Sequence, residues 1–226
     1  MNTLRVALDG PAGAGKSTVA KLAAKALGVT YVDTGAMYRA ITWKALQEKI
    51  DLADQAALTE LSTRVKIEFQ LTKEGQNVSV DGADITEAIR SGEVTSNVSA
   101  VSAVSGVREA MVKLQQEIAA QTGVVMDGRD IGTVVLPDAN VKIWLTASVE
   151  ERAQRRYQEL VAKGQTLDYD QLKAEIERRD LLDSGREHSP MKKADDAIVV
   201  DTTGQSIEMV IEQILHICRS AEAQND

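Results

Sequence analysis

Short apolar runs alternate with helically spaced apolar stripes along most of this 226-residue chain. Leu4-Arg5-Val6-Ala7-Leu8 reads as a buried strand running into Gly10-Pro11-Ala12-Gly13-Ala14-Gly15, which breaks any regular element. Val19, Leu22, Ala23, Ala26 and Leu27 fall at helical spacing, predicting a helix over Lys16 to Leu27 that Gly28 ends. Val29 to Val32 is a second strand, and a helix is expected from about Ala36 to Lys49. From about Arg64 to Thr86 the period changes to two: Val65, Ile67, Phe69 and Leu71, then Val78 and Val80, alternate with polar residues. That pattern predicts an antiparallel hairpin with Gly75 in its turn, a small β-rich insert.

Helical spacing returns with Val94, Val98, Val101 and Val104, where Gly106 is expected to interrupt, and continues through Val107, Met111, Leu114 and Ile118. Val124-Val125-Met126 reads as a strand, Val141 to Leu145 as another, and Ala197 to Val200 as a fifth core strand. Helices are expected over Val149 to Leu160, Tyr169 to about Asp183, and Ile207 to about Arg219. Strands that alternate with helices imply a mainly parallel sheet covered on both faces, an α/β fold. Ligands of such folds sit at the carboxyl ends of the strands, and Asp9, Asp33, Asp127 and Asp201 mark those ends here.

Composition narrows the function. There are 26 Lys+Arg against 34 Asp+Glu, a net charge of −8, which argues against a sequence-blind nucleic-acid binder. Seven aromatic residues are too few for a base-stacking platform. One cysteine, Cys218, and two histidines make a disulfide or a Cys/His zinc site improbable, so Cys218 is expected to be a small apolar side chain on a helix. No signal-peptide core and no apolar run of roughly 20 residues is present, so no membrane partner and a cytoplasmic location are expected.

The chemistry begins at Gly10-Pro11-Ala12-Gly13-Ala14-Gly15-Lys16-Ser17, which matches G-x-x-x-x-G-K-[ST] at every fixed position, after a strand and before a helix. Glycines let backbone N–H groups curl around an anion, and the helix N-terminus adds partial positive charge. Lys16 would meet the β- and γ-phosphates, and the Ser17 hydroxyl would ligate Mg²⁺ with Thr18 beside it. This identifies a nucleoside-triphosphate site, and leaves open a hydrolase, a kinase and a nucleotide-gated binding module. No Asn-Lys-x-Asp run supports a GTPase.

Thirteen arginines are present, and Arg39, Arg108, Arg129, Arg152, Arg155, Arg156, Arg178, Arg179 and Arg186 fall on candidate cleft segments. Arginine forks bind phosphate bidentately, which a phosphoryl-transfer enzyme needs. Arg152 and Arg156, at i,i+4, could equally pair with Glu150, Glu151 or Glu159. Asp127-Gly128-Arg129-Asp130-Ile131-Gly132-Thr133 sets two acids and an arginine in a Gly-flanked loop directly after a strand.

Over essentially its whole length the chain resembles the bacterial cytidylate kinases of the long type. The resemblance rests on Leu8-Asp9-Gly10-Pro11, Asp33-Thr34-Gly35-Ala36-Met37-Tyr38-Arg39, Val107-Arg108-Glu109-Ala110, Asp127 to Val135, and Arg179-Asp180-x-x-Asp183-x-x-Arg186. It implies a P-loop kinase fold: a five-stranded parallel core with helices on both faces, a β-rich monophosphate-binding insert over 62–90 and a lid over 155–166, within one domain spanning 1–226. It implies Mg²⁺-dependent phosphorylation of CMP and dCMP by ATP, with no covalent intermediate, in a protein expected to be monomeric. ATP would be held by Gly10 to Thr18 with Arg152 and Arg156. Thr34, Arg39, Arg129 and Arg186 would contact the acceptor phosphate. Ser99, Arg108 and Asp130 would read the cytosine edge, and Arg179 and Asp183 would lie near the sugar. Lys16, Arg129, Arg155 and Arg186 would neutralise the transferring charge, and Asp127 is a second candidate beside Ser17 for the metal. The competing readings are a kinase of another monophosphate or small metabolite, and an ATP-gated binding protein with slow hydrolysis.

Overall fold

The fold is described from a computed structural model over residues 4–71, 76–162 and 164–223. The chain divides into two compact units, Met1–Val32 with Gln116–Asp226, and Asp33–Gln115. Gly75, expected in the hairpin turn, and Lys163, expected in the lid, lie outside the described residues.

The first unit is built on a five-stranded parallel sheet in the order β2–β6–β1–β7–β8. Its strands are β1 (Arg5–Asp9), β2 (Thr30–Asp33), β6 (Val124–Gly128), β7 (Val141–Thr146) and β8 (Ile198–Asp201). β1 lies centrally, with Leu8 opposite Asp127 and Asp9 opposite Gly128 on one side and Asp9 opposite Trp144 on the other. All five residues of β6 are buried, as expected of a strand covered on both faces. Helices α1 (Lys16–Leu27) and α8 (Ile207–Glu222) share one core with this sheet, through Val6, Leu8, Val19, Ile143, Leu145 and Ile214. Each such side chain contributes about 1.5–3 kcal/mol by leaving water. Cys218 is part of that core, and burial pushes its thiol pKa up to about 12, so it acts as an apolar group. Helices α6 (Val149–Ala162) and α7 (Tyr169–Ser184) pack together around Ala153, Leu172 and Ile176, with Tyr157 edge-on to Tyr169.

The buried stripe of α1 differs from the expected one. Leu22 is exposed, and the inward residues are Lys16, Val19, Ala20, Ala23 and Ala24. The helix is rotated so that its first inward position is the lysine, and small residues below it keep the helix close to the sheet.

The second unit holds α2 (Thr34–Gln47), α3 (Gln55–Arg64), an antiparallel sheet of β3 (Ile67–Leu71), β4 (Gln76–Val80) and β5 (Ala83–Asp84), α4 (Gly92–Val101) and most of α5 (Ser105–Gln121). The period-two hairpin is present, and a short third strand extends it. Asp33 caps α2 by accepting the Ala36 N–H at 2.9 Å, so that helix starts at Thr34 rather than Ala36. Asp54 caps α3 in the same way. Apolar stripe residues are few in α3, and the pattern does not predict that helix. The expected break at Gly106 is misplaced: the helical run ends at Val101 and resumes at Ser105, with Gly106 inside the first turn of α5. A Cβ there would stand 2.3 Å from side-chain atoms of Thr59, so the glycine serves close approach between α5 and α3.

Candidate active site

In the first unit the phosphate loop joins β1 to α1. Gly10 has φ +149°, and a Cβ on it would lie 1.9 Å from the Leu145 carbonyl oxygen of β7, so no other residue fits. Gly13, at φ +77°, passes within 3.2 Å of the Arg152 side chain by the same measure. Lys16 is buried, and its ammonium donates to the Pro11 carbonyl at 2.6 Å. Burial pushes its pKa well below the ordinary lysine value, and the nearby charges of Arg129 and Arg179 add to that push against Asp127 and Asp9. Three cations therefore face one loop, an arrangement that polyanionic phosphate would relieve.

The Ser17 hydroxyl donates to Asp127 Oδ2 at 2.9 Å, and the Tyr31 hydroxyl donates to Asp127 Oδ1 at 2.9 Å. A hydroxyl and a carboxylate thus converge at the first turn of α1, hard oxygen donors of the kind Mg²⁺ takes. Among the described residues no group of three His, Cys, Asp or Glu could hold a metal on its own. The donor set fits a cation that draws its remaining oxygens from water and nucleotide phosphates.

Asp127 and Gly128 still belong to β6, so the expected loop is shorter than its motif. Arg129 and Asp130 follow, and Ile131–Val135 forms one π-helical turn. Asp9, buried at the end of β1, accepts the N–H groups of Ile131 (2.8 Å) and Gly132 (2.7 Å). Burial raises its pKa from 3.8 to about 6; the two N–H groups oppose that rise and the neighbouring Asp130 adds to it. Asp130 is itself buried.

On α7, Arg179 and Asp183 are one turn apart, and Arg186 follows the helix. Asp183, with 2% of its side chain exposed, receives the Arg129 Nε–H at 3.0 Å and a close ion pair from Arg186. One carboxylate shared by two guanidiniums leaves an excess positive charge, which suits an anionic ligand.

Arg152 is buried, and its ion pair is with Asp180 rather than with one of the three glutamates. It donates to the Ala147 carbonyl (3.1 Å), the Ala12 carbonyl (2.8 Å) and Asp180 (2.6 Å), while Asp180 also accepts the Ala12 N–H (3.1 Å). The Arg152–Asp180 pair grips the phosphate loop by both polar groups of one residue. Arg155 pairs with Glu151 and donates to the Thr202 hydroxyl and carbonyl, and Arg156 pairs with Glu159 at the surface. Asp9, Tyr31, Asp180 and Thr202 carry contacts that no motif assigns to them. Asp9 and Asp180 fall in segments that carry the family resemblance, Leu8-Asp9-Gly10-Pro11 and Arg179-Asp180-x-x-Asp183; Tyr31 and Thr202 have no such signal.

In the second unit, Thr34 is buried at the start of α2, and Arg39 one turn later donates to the Thr95 hydroxyl (2.9 Å) and the Ile89 carbonyl (3.3 Å). Arg108 is buried, donates to the Ser102 carbonyl at 3.1 Å, and stands 5.1 Å from the centre of the Tyr38 ring. Ser99 is half-buried on α4, its carbonyl accepting the Ser102 hydroxyl at 3.2 Å.

The chain is similar to known proteins over nearly its whole length. The chain is 58% identical to a cytidylate kinase of Bacillus subtilis over 212 residues, 94% of this chain and 95% of that protein. It is 56% identical to a cytidylate kinase of Enterococcus faecalis over 219 residues, 97% of each. A crystal structure of an uncharacterized protein from Eubacterium ventriosum has the same fold at a TM-score of 0.55, with 10% identity, covering 97% of this chain and 99% of that one. The cytidylate kinase profile matches residues 6–220, and the chain belongs to that family.

Proposed function

We propose that this protein transfers the γ-phosphoryl group of ATP to CMP and dCMP, giving ADP with CDP or dCDP. The observation that carries the reading is the placement of a complete phosphate loop and the Asp127-Gly128-Arg129-Asp130 segment on paired parallel strands, β1 and β6. Donor and acceptor chemistry thereby share one sheet end, where open α/β sheets bind ligands.

The loop N–H groups and Lys16 hold the donor phosphates, while Ser17, with Asp127 behind it, presents oxygen to Mg²⁺. The metal supplies charge neutralisation on the phosphates when bound. Arg129 and Arg186, already gathered on Asp183, take the acceptor phosphate, and Arg179 and Asp183 serve the sugar side. Asp130 is buried and accepts from the exocyclic amine of cytosine, a donor that uracil lacks, so UMP forgoes that bond. Thr34, Arg39, Ser99 and Arg108 of the second unit take part in acceptor binding. Arg155 and Arg156 lead into a lid over 155–166 that excludes water from the transfer. Catalysis comes from in-line positioning and charge neutralisation, with no covalent step. Among the described residues no helix is long and apolar enough to cross a membrane, and we place the protein in the cytoplasm as a monomer.

A steady-state panel of CMP, dCMP, UMP, AMP and shikimate with Mg-ATP tests the reading. CMP and dCMP should give the highest kcat/KM. A better acceptor elsewhere in the panel would overturn the assignment. ATP turnover indifferent to every acceptor, but raised by a protein partner, would favour a nucleotide-gated binding protein.

A further inference from the structure

Asp9 ends β1 and directly precedes Gly10, the first residue of the phosphate loop. Its carboxylate has no part in the donor, metal or acceptor contacts assigned above. Both oxygens are instead committed to the two N–H groups that open the π-helical turn, Ile131 at 2.8 Å and Gly132 at 2.7 Å. Initial N–H groups of a helical turn have no partner within it, and π turns, rare overall, are frequent at functional sites. The residue immediately before that turn is Asp130, whose carbonyl accepts the Val134 N–H at 2.9 Å. A Cβ on Gly132 would stand 3.2 Å from Lys142 Cδ and 3.4 Å from Asp9 Oδ2, so a side chain there would press on the lysine and just touch the carboxylate. Asp9 holds this place although burial and the like charge of Asp130 both oppose its ionised form.

We infer that Asp9 is a positioning residue for acceptor selection: it clamps the turn that aims the Asp130 carboxyl, and its bond to Gly10 ties that aim to the loop holding the donor. The inference rests on the reading of Asp130 as the group that takes the cytosine amine. An acid facing the start of another turn would be an ordinary cap if it touched only stability. The distinction lies in whether base choice moves with it.

The test is steady-state kinetics of Asp9→Asn and Asp130→Asn, each with CMP and UMP at saturating Mg-ATP. Asparagine keeps the size and one acceptor, but turns an NH₂ against one of the two N–H groups. Asp9→Asn should lower the CMP:UMP ratio of kcat/KM by about tenfold or more and raise KM for CMP. An unchanged ratio overturns the role of Asp9 when Asp130→Asn collapses it. A ratio intact in Asp130→Asn as well removes the reading of Asp130 and this inference with it. If Asp9→Asn does not fold by circular dichroism melting, Asp9→Glu repeats the test with the charge kept and the reach changed: a lowered ratio supports the clamp and an unchanged ratio overturns it.

Discussion

Lys16 is a residue whose role its own neighbours in the chain declare. Its type and spacing in the loop motif assign it to phosphate, and its burial against a carbonyl at 2.6 Å explains how the loop accommodates an ammonium group. Burial and two arginines disfavour its charge, so truncation relieves a folding cost rather than opening a core. Lys16→Ala should therefore lower kcat/KM by about two to three orders of magnitude while the unfolding midpoint stays near wild type. Melting curves beside initial rates check both halves, and near-normal transfer by this variant would sink the mechanism. Arg152 teaches the opposite lesson. Its spacing offers a neighbouring glutamate as partner and the family resemblance offers ATP, whereas the structure gives it Asp180 and the Ala12 carbonyl. Nothing local to 152–156 encodes a partner 28 residues onward.

At the level of elements, the contact worth testing joins α6 and α7 to the phosphate loop. Asp180 reaches the Ala12 N–H from a position 168 residues further along the chain, and it neutralises Arg152, of which 5% of the side chain is exposed. Removing one partner of such a pair leaves an uncompensated cation. Asp180 itself is 17% exposed and Arg152 keeps two carbonyls, so the loss falls below that of a fully buried pair. Asp180→Ala should cost about 2 kcal/mol in urea unfolding and raise KM for ATP more than KM for CMP, because the loop loses its outer anchor. A raised KM for CMP alone would contradict the clamp. Legibility also varies by element. Most strands and long helices lie where their apolar runs predict, but α1 buries a different face and β8, expected in the core, exposes Ile198 and Val199; the hairpin is marked by its change to period two. Helix α3 escapes the pattern because Leu58 and Leu61 are its only large buried apolar residues, although Asp54 offers a cap. Gly106 misleads because a glycine in a helical pattern looks the same whether it ends the helix or admits Thr59.

For the whole molecule, a net charge of −8 hides a local gathering of cations interleaved with buried carboxylates. Lys16, Arg129 and Arg179 act on one another through space, and Arg186 shares Asp183 with Arg129, while surface acids carry the overall sign. A site that transfers phosphate from ATP must keep water from competing with the acceptor. ATP hydrolysis measured without acceptor should be a small fraction of turnover with CMP. The ratio of transfer to hydrolysis should fall in Asp180→Ala and hold in a surface variant such as Arg64→Ala. Hydrolysis as fast as transfer in the wild type would contradict the proposed exclusion of water.

The sequence alone determined the phosphate loop, the alternation of strands and helices, and the family resemblance. Each of these is local: backbone N–H groups, a fixed lysine and an apolar period act within one strand, one turn or one helix. Tertiary structure decided the partners. Asp9 with Ile131, Ser17 with Asp127, Arg129 with Asp183 and Ala12 with Asp180 join residues separated by 54 to 168 positions. Their meeting depends on strand order and helix rotation. Parallel pairing sets Asp9 beside Gly128, and only then does an acid before a glycine become the support of the turn after Asp130.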